Sequence, residues 1–204
     1  VNKHIDLDLC INDPLLPSTL AELHLDTCDA LIVSDGSGTT WAKSCGWAAT
    51  FLDLHSRERK HLYGAMNFGT SYLAELIPYV HALSWYIEGP GRERLTTKMR
   101  LRASSVVRIG AITDSELLSK QGAGLASRKT GNYYWAMIEA VAERGFLLEW
   151  RWVPRSVLGL NRLADHLAGT CRKSMDIVAG VTLPGLTDTF TETDSATAVQ
   201  GDPP

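Results

Sequence analysis

Apolar residues along this chain recur at two spacings. Compact runs at Ala30 to Ser34, Cys45 to Leu54, Lys60 to Asn67, Val106 to Thr113 and Phe146 to Val153 have strand length and are bounded by polar or turn-forming residues. Elsewhere the apolar positions fall three and four apart. Leu73, Leu76, Val80, Leu83 and Ile87 predict a helix over Ser71 to Ile87, with Thr70 or Ser71 as its cap. Tyr134, Ile138 and Val141 mark one face of a helix from Tyr133 to Glu143, which Arg144-Gly145 stops. Leu160, Leu163, Leu167 and Cys171 form the stripe of a last helix from Asn161 to about Lys173. A shorter helix begins at Ser115 and ends before Gly122 and Gly124. Gly36 to Ser44 reads as a loop, His55 to Arg59 as a polar turn, and Gly89 to Ser104 as a basic connection.

The order of these elements constrains their pairing. Strands joined by tight turns pair antiparallel, whereas strands reached through a helix run parallel to the first. The expected fold is α/β: a mixed five-stranded sheet, three antiparallel strands then two parallel to the first, with helices on both faces. Residues 1–29, with Asp13-Pro14 and Pro17, read as a lead-in segment with one short helix near Ser18 to Leu23. Residues 30–178 form the expected domain. Residues 179–204 are rich in Thr, Asp, Ser, Gly and Pro and read as a disordered acidic tail.

Composition narrows the class. With 45% hydrophobic and 21% charged residues among 204, the chain is ordinary globular material. No apolar run reaches the roughly 18 residues of a membrane helix. Cys10, Cys28, Cys45 and Cys171 have no paired spacing, which argues against a disulfide framework or a zinc site. Cys45 and Cys171 fall on apolar stretches as core thiols, and a reducing, cytoplasmic setting is expected. The net charge of -3 does not mark a nucleic-acid binder. Basic residues nevertheless crowd between Arg92 and Lys129, and a local basic region can contact phosphates on an acidic chain.

Four carboxylates change the picture. Asp35, in Ser34-Asp35-Gly36-Ser37, and Asp114, in Ile112-Thr113-Asp114-Ser115, each close a strand; Glu75 and Asp165 flank the apolar stripes of two helices. Taken singly they read as a turn residue, a helix cap, a first-turn charge and a solvated helix residue. Taken together, parallel neighbouring strands would bring the two aspartates to one sheet edge, where ligands bind in open α/β sheets. Cleaving a phosphodiester calls for an activated water and a stabilised leaving oxygen, which two divalent ions about 4 Å apart supply. Such ions want hard oxygen ligands, and four carboxylates carry about the charge that two Mg²⁺ ions neutralise.

Several motifs occur in a telling order. Val33-Ser34-Asp35-Gly36-Ser37 precedes Gly46-Trp47-Ala48-Ala49; then come Gly69-Thr70-Ser71-Tyr72-Leu73-Ala74-Glu75-Leu76, Ile112-Thr113-Asp114-Ser115, Leu148-Glu149-Trp150-Arg151-Trp152-Val153-Pro154 and Asn161-Arg162-Leu163-Ala164-Asp165-His166-Leu167-Ala168. Over residues 30 to 173 this set resembles the type 1 ribonuclease H family. The resemblance implies an RNase H-like fold and hydrolysis of the RNA strand of RNA–DNA hybrids. It implies Asp35, Glu75, Asp114 and Asp165 as catalytic residues holding two Mg²⁺ ions, with Mn²⁺ able to substitute. Gly36, Ser37, Thr70, Ser71, Ser115 and Asn161 flank these carboxylates and suit sequence-independent reading of a minor groove, and Arg155 can contact phosphate.

Two departures stand out. The loop Arg155 to Leu160 lacks the His that many members carry there, and Lys120 to Gly131 is too short for the basic helix of some members. The expected partner is an RNA–DNA hybrid, with no membrane. The chain opens on Val1 rather than Met, so it reads either as free-standing after processing or as a domain of a larger polyprotein or reverse transcriptase. Two alternatives stay open: a non-catalytic nucleic-acid-binding domain on this fold, and a DNA-directed nuclease of the same superfold.

Overall fold

The computed structural model describes residues 12–38, 44–67, 69–101 and 106–174. The expected tail at 179–204, the first eleven residues of the lead-in and Arg102 of the basic stretch lie outside the described residues. In chain order the elements are α1 (Leu16–Glu22), β1 (Ala30–Ser37), β2 (Ser44–Asp53), β3 (Arg59–Asn67), α2 (Ser71–Glu88), α3 (Pro90–Arg100), β4 (Val107–Thr113), α4 (Glu116–Gly122), α5 (Asn132–Glu143), β5 (Phe146–Trp152) and α6 (Gly159–Ser174).

The strands form one five-stranded sheet in the order β3-β2-β1-β4-β5. β1 pairs antiparallel with β2 and β2 with β3, while β4 lies parallel to β1 and β5 parallel to β4. This is the mixed sheet, three antiparallel strands then two parallel to the first, that the order of elements predicts. β1 is the central strand, and alternate side chains serve separate cores. Ala30 and Ile32 pack with Phe51, Tyr79, Tyr86, Trp135 and Trp150 beneath α2 and α5. Leu31 and Val33 point to the other face, where they meet Leu20, Leu25, Ile112, Leu158 and Leu160. Beside them Ala48 packs on Leu163, Ala164, Leu167 and Ala168 of α6.

Three local readings need correction. β1 runs to Ser37, so Gly36 and Ser37 are strand residues paired with Trp47 and Gly46 rather than loop residues. Second, residues 90–100 of the expected basic connection form α3. Pro90 in its first turn is pre-set for helical φ, and Glu93 and Lys98/Arg100 sit at the ends the helix dipole favours. The segment has no apolar stripe, which is why periodicity does not reveal it. Third, the lead-in is part of the packing: Leu20, Leu25 and Cys28 are buried in the core beneath α6. Asp13, also buried, accepts from the Leu15 amide at 2.9 Å and from the Gly159 amide, so it ties the entry of α1 to the first turn of α6.

α3 is held by charge. Asp29, 4% exposed, accepts from Lys98 Nζ at 2.5 Å, Arg94 Nε at 3.4 Å, His55 Nε2 at 3.3 Å and the Arg108 amide at 2.9 Å. One buried carboxylate thereby joins α3, the β2–β3 turn and the start of β4. Asp29→Asn would leave cations facing a neutral group, and a stability loss of roughly 2–4 kcal/mol is expected in urea unfolding.

A second buried polar group sets a pH dependence. His61 Nδ1 lies 2.9 Å from Thr50 Oγ1 within the sheet. Burial, with Arg59 nearby, pushes His61 down from its ordinary 6.5 to about 4. Between those values the unfolded chain takes up a proton that the folded one refuses, so this residue's contribution to stability is lost as pH falls from 6.5 towards 4. His61→Gln should remove that slope, and the stability difference between wild type and variant should change by up to about 3 kcal/mol across the window. Urea melts of both proteins at several pH values in that range measure it.

Candidate active site

The site is assembled at the carboxyl ends of β1 and β4. The parallel register sets Ser34 opposite Thr113, so the next residue of each strand, Asp35 and Asp114, emerges at the same edge. The turn after β4 is fixed by short contacts. Thr113 Oγ1 accepts from the Ser115 amide at 3.1 Å, Ser115 caps α4, and the Trp152 indole donates to the Asp114 carbonyl at 3.0 Å.

The helices reach this edge because glycines let them. A Cβ on Gly36 would lie 2.4 Å from the Ala74 carbonyl carbon and 2.5 Å from the Glu75 nitrogen. The first turns of α2 therefore rest directly on the end of β1, and Glu75 arrives within electrostatic reach of Asp114 and Arg155. On the opposite face a Cβ on Gly46 would lie 1.9 Å from the Ala168 carbonyl oxygen, so α6 rests equally close on β2. That contact brings Asp165 to the same edge.

Asp35 is 2% exposed. Its Oδ1 accepts from the Gly36 amide at 2.7 Å and from Arg155 Nη2 at 3.4 Å, while its Oδ2 is buried without a hydrogen-bond partner among the described residues. The same Arg155 donates through Nε to Asp114 Oδ2 at 2.6 Å and through Nη1 to Asp165 Oδ1 at 3.1 Å. One guanidinium thus bridges three carboxylates. Glu75 completes the group electrostatically. Burial raises its pKa, and Asp114 adds to the rise, against a hydrogen bond from Ser115. Asp35 is pushed up to about 8, first by burial and then by the charge of Asp114, with Arg155 working the other way. Burial favours the neutral form of Arg155, but its bonds to Asp114 and the charges of Asp35 and Asp165 outweigh that and raise its pKa.

The arrangement suits a hard cation in donor type. Every anionic donor is a carboxylate oxygen, and one of them is buried and unpartnered. Among the described residues, however, no three His, Cys, Asp or Glu side chains converge as a ready cage for a metal ion. The positive charge among them is Arg155.

The flanking residues divide. Thr70 caps α2 by accepting from the Leu73 amide at 3.2 Å and is exposed, and Ser71 opens that helix half-buried. Ser37 lies half-buried at the end of β1. Gly36 does not offer a free amide, because Asp35 takes it. Asn161 is 3% exposed and donates to the Val153 carbonyl at 3.4 Å, so it braces the loop that carries Arg155 rather than facing outward. Arg155 itself is engaged by carboxylates, not open to phosphate. Of the basic stretch, Arg94 and Lys98 serve Asp29 at the opposite end of β1, and Arg108 pairs with Glu149 at 2.6 Å. Sequence reasoning does not single out Trp152, which is 46% exposed beside Asp114; an aromatic closing the last strand was its only signal.

With this geometry in hand, solved structures offer a comparison. The N-terminal RNase H domain of a Mycobacterium tuberculosis protein, solved as a fusion with maltose binding protein, superposes with a TM-score of 0.56 at 18% identity, over 74% of this chain and 97% of that one. LC11-RNase H1, solved in complex with an RNA/DNA hybrid, gives 0.53 at 16% identity over 72% and 98%. Prototype foamy virus protease-reverse transcriptase gives 0.50 at 14% identity over 76% of this chain and 21% of that one. No protein-family model matches the sequence, and no curated protein matches it. The chain has the RNase H-like fold. Within the described residues no helix is long and apolar enough to cross a membrane.

The buried charge at Asp35 has a measurable cost. The folded protein keeps its proton up to about pH 8, whereas the unfolded chain releases it near 3.8, so stability is lost as pH rises through that interval. Asp35→Asn should therefore melt above wild type in metal-free buffer at pH 8, and the gain should shrink towards pH 4. Thermal melts at matched pH values read both.

Proposed function

We propose that this protein is a metal-dependent endoribonuclease that hydrolyses the RNA strand of RNA–DNA hybrids. One observation carries the reading: Asp35, Asp114 and Asp165, from three separate elements of an RNase H-like fold, meet on one cation beside a buried, unpartnered carboxylate oxygen. Glu75 lies against the same group. These four would hold the divalent ions, Mg²⁺ or Mn²⁺. When bound, the ions supply an activated water and charge stabilisation at the leaving oxygen.

The chain's own residues do the rest. Gly36 fixes Asp35 through its amide, Ser115 orients Glu75, and Asn161 braces the loop bearing Arg155. Exposed Thr70 and half-buried Ser37 and Ser71 are small polar groups suited to the 2′-hydroxyls and backbone of a minor groove. No imidazole lies between Val153 and Asn161, so no side chain there can exchange a proton near neutral pH. The hybrid as substrate is supported by the LC11 enzyme, whose solved complex holds one. A place within a larger polyprotein or reverse transcriptase accords with the foamy virus protein, of which the aligned part is a fraction.

A second reading, a non-catalytic nucleic-acid-binding domain, is favoured by the same bridge, since the carboxylates are already partly neutralised by Arg155. One gel separates the readings. Labelled hybrid, duplex DNA, duplex RNA and single strands are incubated with Mg²⁺, Mn²⁺ or chelator. Internal cleavage of the RNA in hybrid alone, abolished by chelator and by Asp35→Asn or Asp114→Asn in folded protein, is the expected result. Hybrid that is bound but uncut supports the binder, and cleavage of duplex DNA supports the DNA-directed nuclease.

A further inference from the structure

A cation placed among carboxylates and a metal bound by the same carboxylates exclude one another. Arg155 spends three of its nitrogens on three different acids: Nη2 on Asp35, Nε on Asp114 and Nη1 on Asp165. Such charge-assisted bonds are the strong ones, and a planar guanidinium reaches several acceptors where an ammonium reaches one or two. The loop under it is braced. The Val153 amide donates to the Thr113 carbonyl at 3.0 Å, and Asn161 donates back to the Val153 carbonyl. Yet the Arg155 side chain is half-exposed, at 51%, so it can swing outward without unpacking the core. Asp35, by contrast, is fixed and buried, and its Oδ2 has no partner among the described residues even with Arg155 in place. The guanidinium holds the acids together but leaves the deepest oxygen unsatisfied.

We propose that Arg155 is an internal counter-ion that keeps the acidic group assembled before metal arrives, and that a divalent ion binds by displacing it. The inference rests on the proposed metal-dependent function. Arg155 is here a positioning residue in the metal-free protein. Once displaced, its charge faces solvent at the rim of the site, where a nucleic-acid phosphate is its natural partner. The two roles have opposite signs in a binding experiment. Removing Arg155 should make the protein hold metal more tightly and nucleic acid more weakly, a combination that a merely structural role would not produce.

The test uses the full chain and Mn²⁺ alone, with affinity read by calorimetry and by the electron paramagnetic resonance of free Mn²⁺. Arg155→Gln should bind Mn²⁺ about tenfold or more tightly than wild type, the order expected on deleting a competing unit charge a few ångströms away. In saturating Mn²⁺, with a hybrid whose RNA strand carries non-hydrolysable linkages, the same variant should bind more weakly than wild type, with a log-affinity against log-salt slope reduced by about 0.9 if one phosphate contact is lost. Arg155→Lys keeps the charge but not the three-way bridge, and should fall between the two proteins in Mn²⁺ affinity. If Arg155→Gln does not fold, Arg155→Lys carries the same comparison.

Unchanged or weaker Mn²⁺ binding in the folded variant overturns the proposal, as does a wild type and variant that both fail to bind. Failure of the functional reading looks different. It is wild-type protein that leaves hybrid uncut in Mn²⁺, and it does not affect the comparison of Mn²⁺ affinities.

Discussion

A carboxylate buried at the end of the central strand is the constraint around which this molecule is organised. Asp35 sits near the carboxyl end of β1, paired with β2 just past the last pairing with β4, and a charge so buried must be compensated or neutralised. The neighbouring structure follows from that demand. The Gly36 amide turns back onto it, and Arg155 reaches it from a loop. That loop is braced by a buried asparagine, and the helix after it is tied to the lead-in through Asp13. Compensation is incomplete, because one oxygen stays unpartnered among the described residues and the proton is held up to about pH 8. Incomplete satisfaction of a buried acid costs stability and is a mark of functional sites.

The two ends of β1 use charge in mirror-image ways. At its start, Asp29 is a single anion surrounded by Lys98, Arg94, His55 and the Arg108 amide. At its end, Arg155 is a single cation surrounded by Asp35, Asp114 and Asp165. The first arrangement joins three segments of chain and reads as architecture. The second concentrates anions round one side chain on a half-exposed loop, and the excess negative charge there is what a divalent ion would meet.

Much of this was legible in the sequence, for identifiable reasons. The strands are apolar runs of the right length, the long helices carry clear stripes, and the order of elements allows few ways of closing a sheet. The four acids stand out because they recur at strand ends and beside stripes. What escaped is equally physical. α3 has helical charge placement but no apolar face, so periodicity is blind to it. Gly36 and Ser37 read as loop because glycine and serine signal turns, yet the strand needs a missing Cβ there for α2 to approach. Asn161 looked like a surface reader and is a buried brace, while Arg155 looked like a phosphate contact and is a bridge. These depend on side-chain direction and on contacts that close across the fold, such as Arg155 with Asp35 at 120 positions apart, which no local pattern encodes.

The thinness of the sheet at Gly36 and Gly46 has its own consequence. Gly36 receives α2 on one face and Gly46 receives α6 on the other, each with backbone lying where a side chain would be. The separation between Glu75 and Asp165 is therefore gauged by two missing methyl groups rather than by any contact between the acids. A single added carbon at either position would lift one helix alone and leave the other seated, opening the acidic group from one side like calipers set a notch too wide.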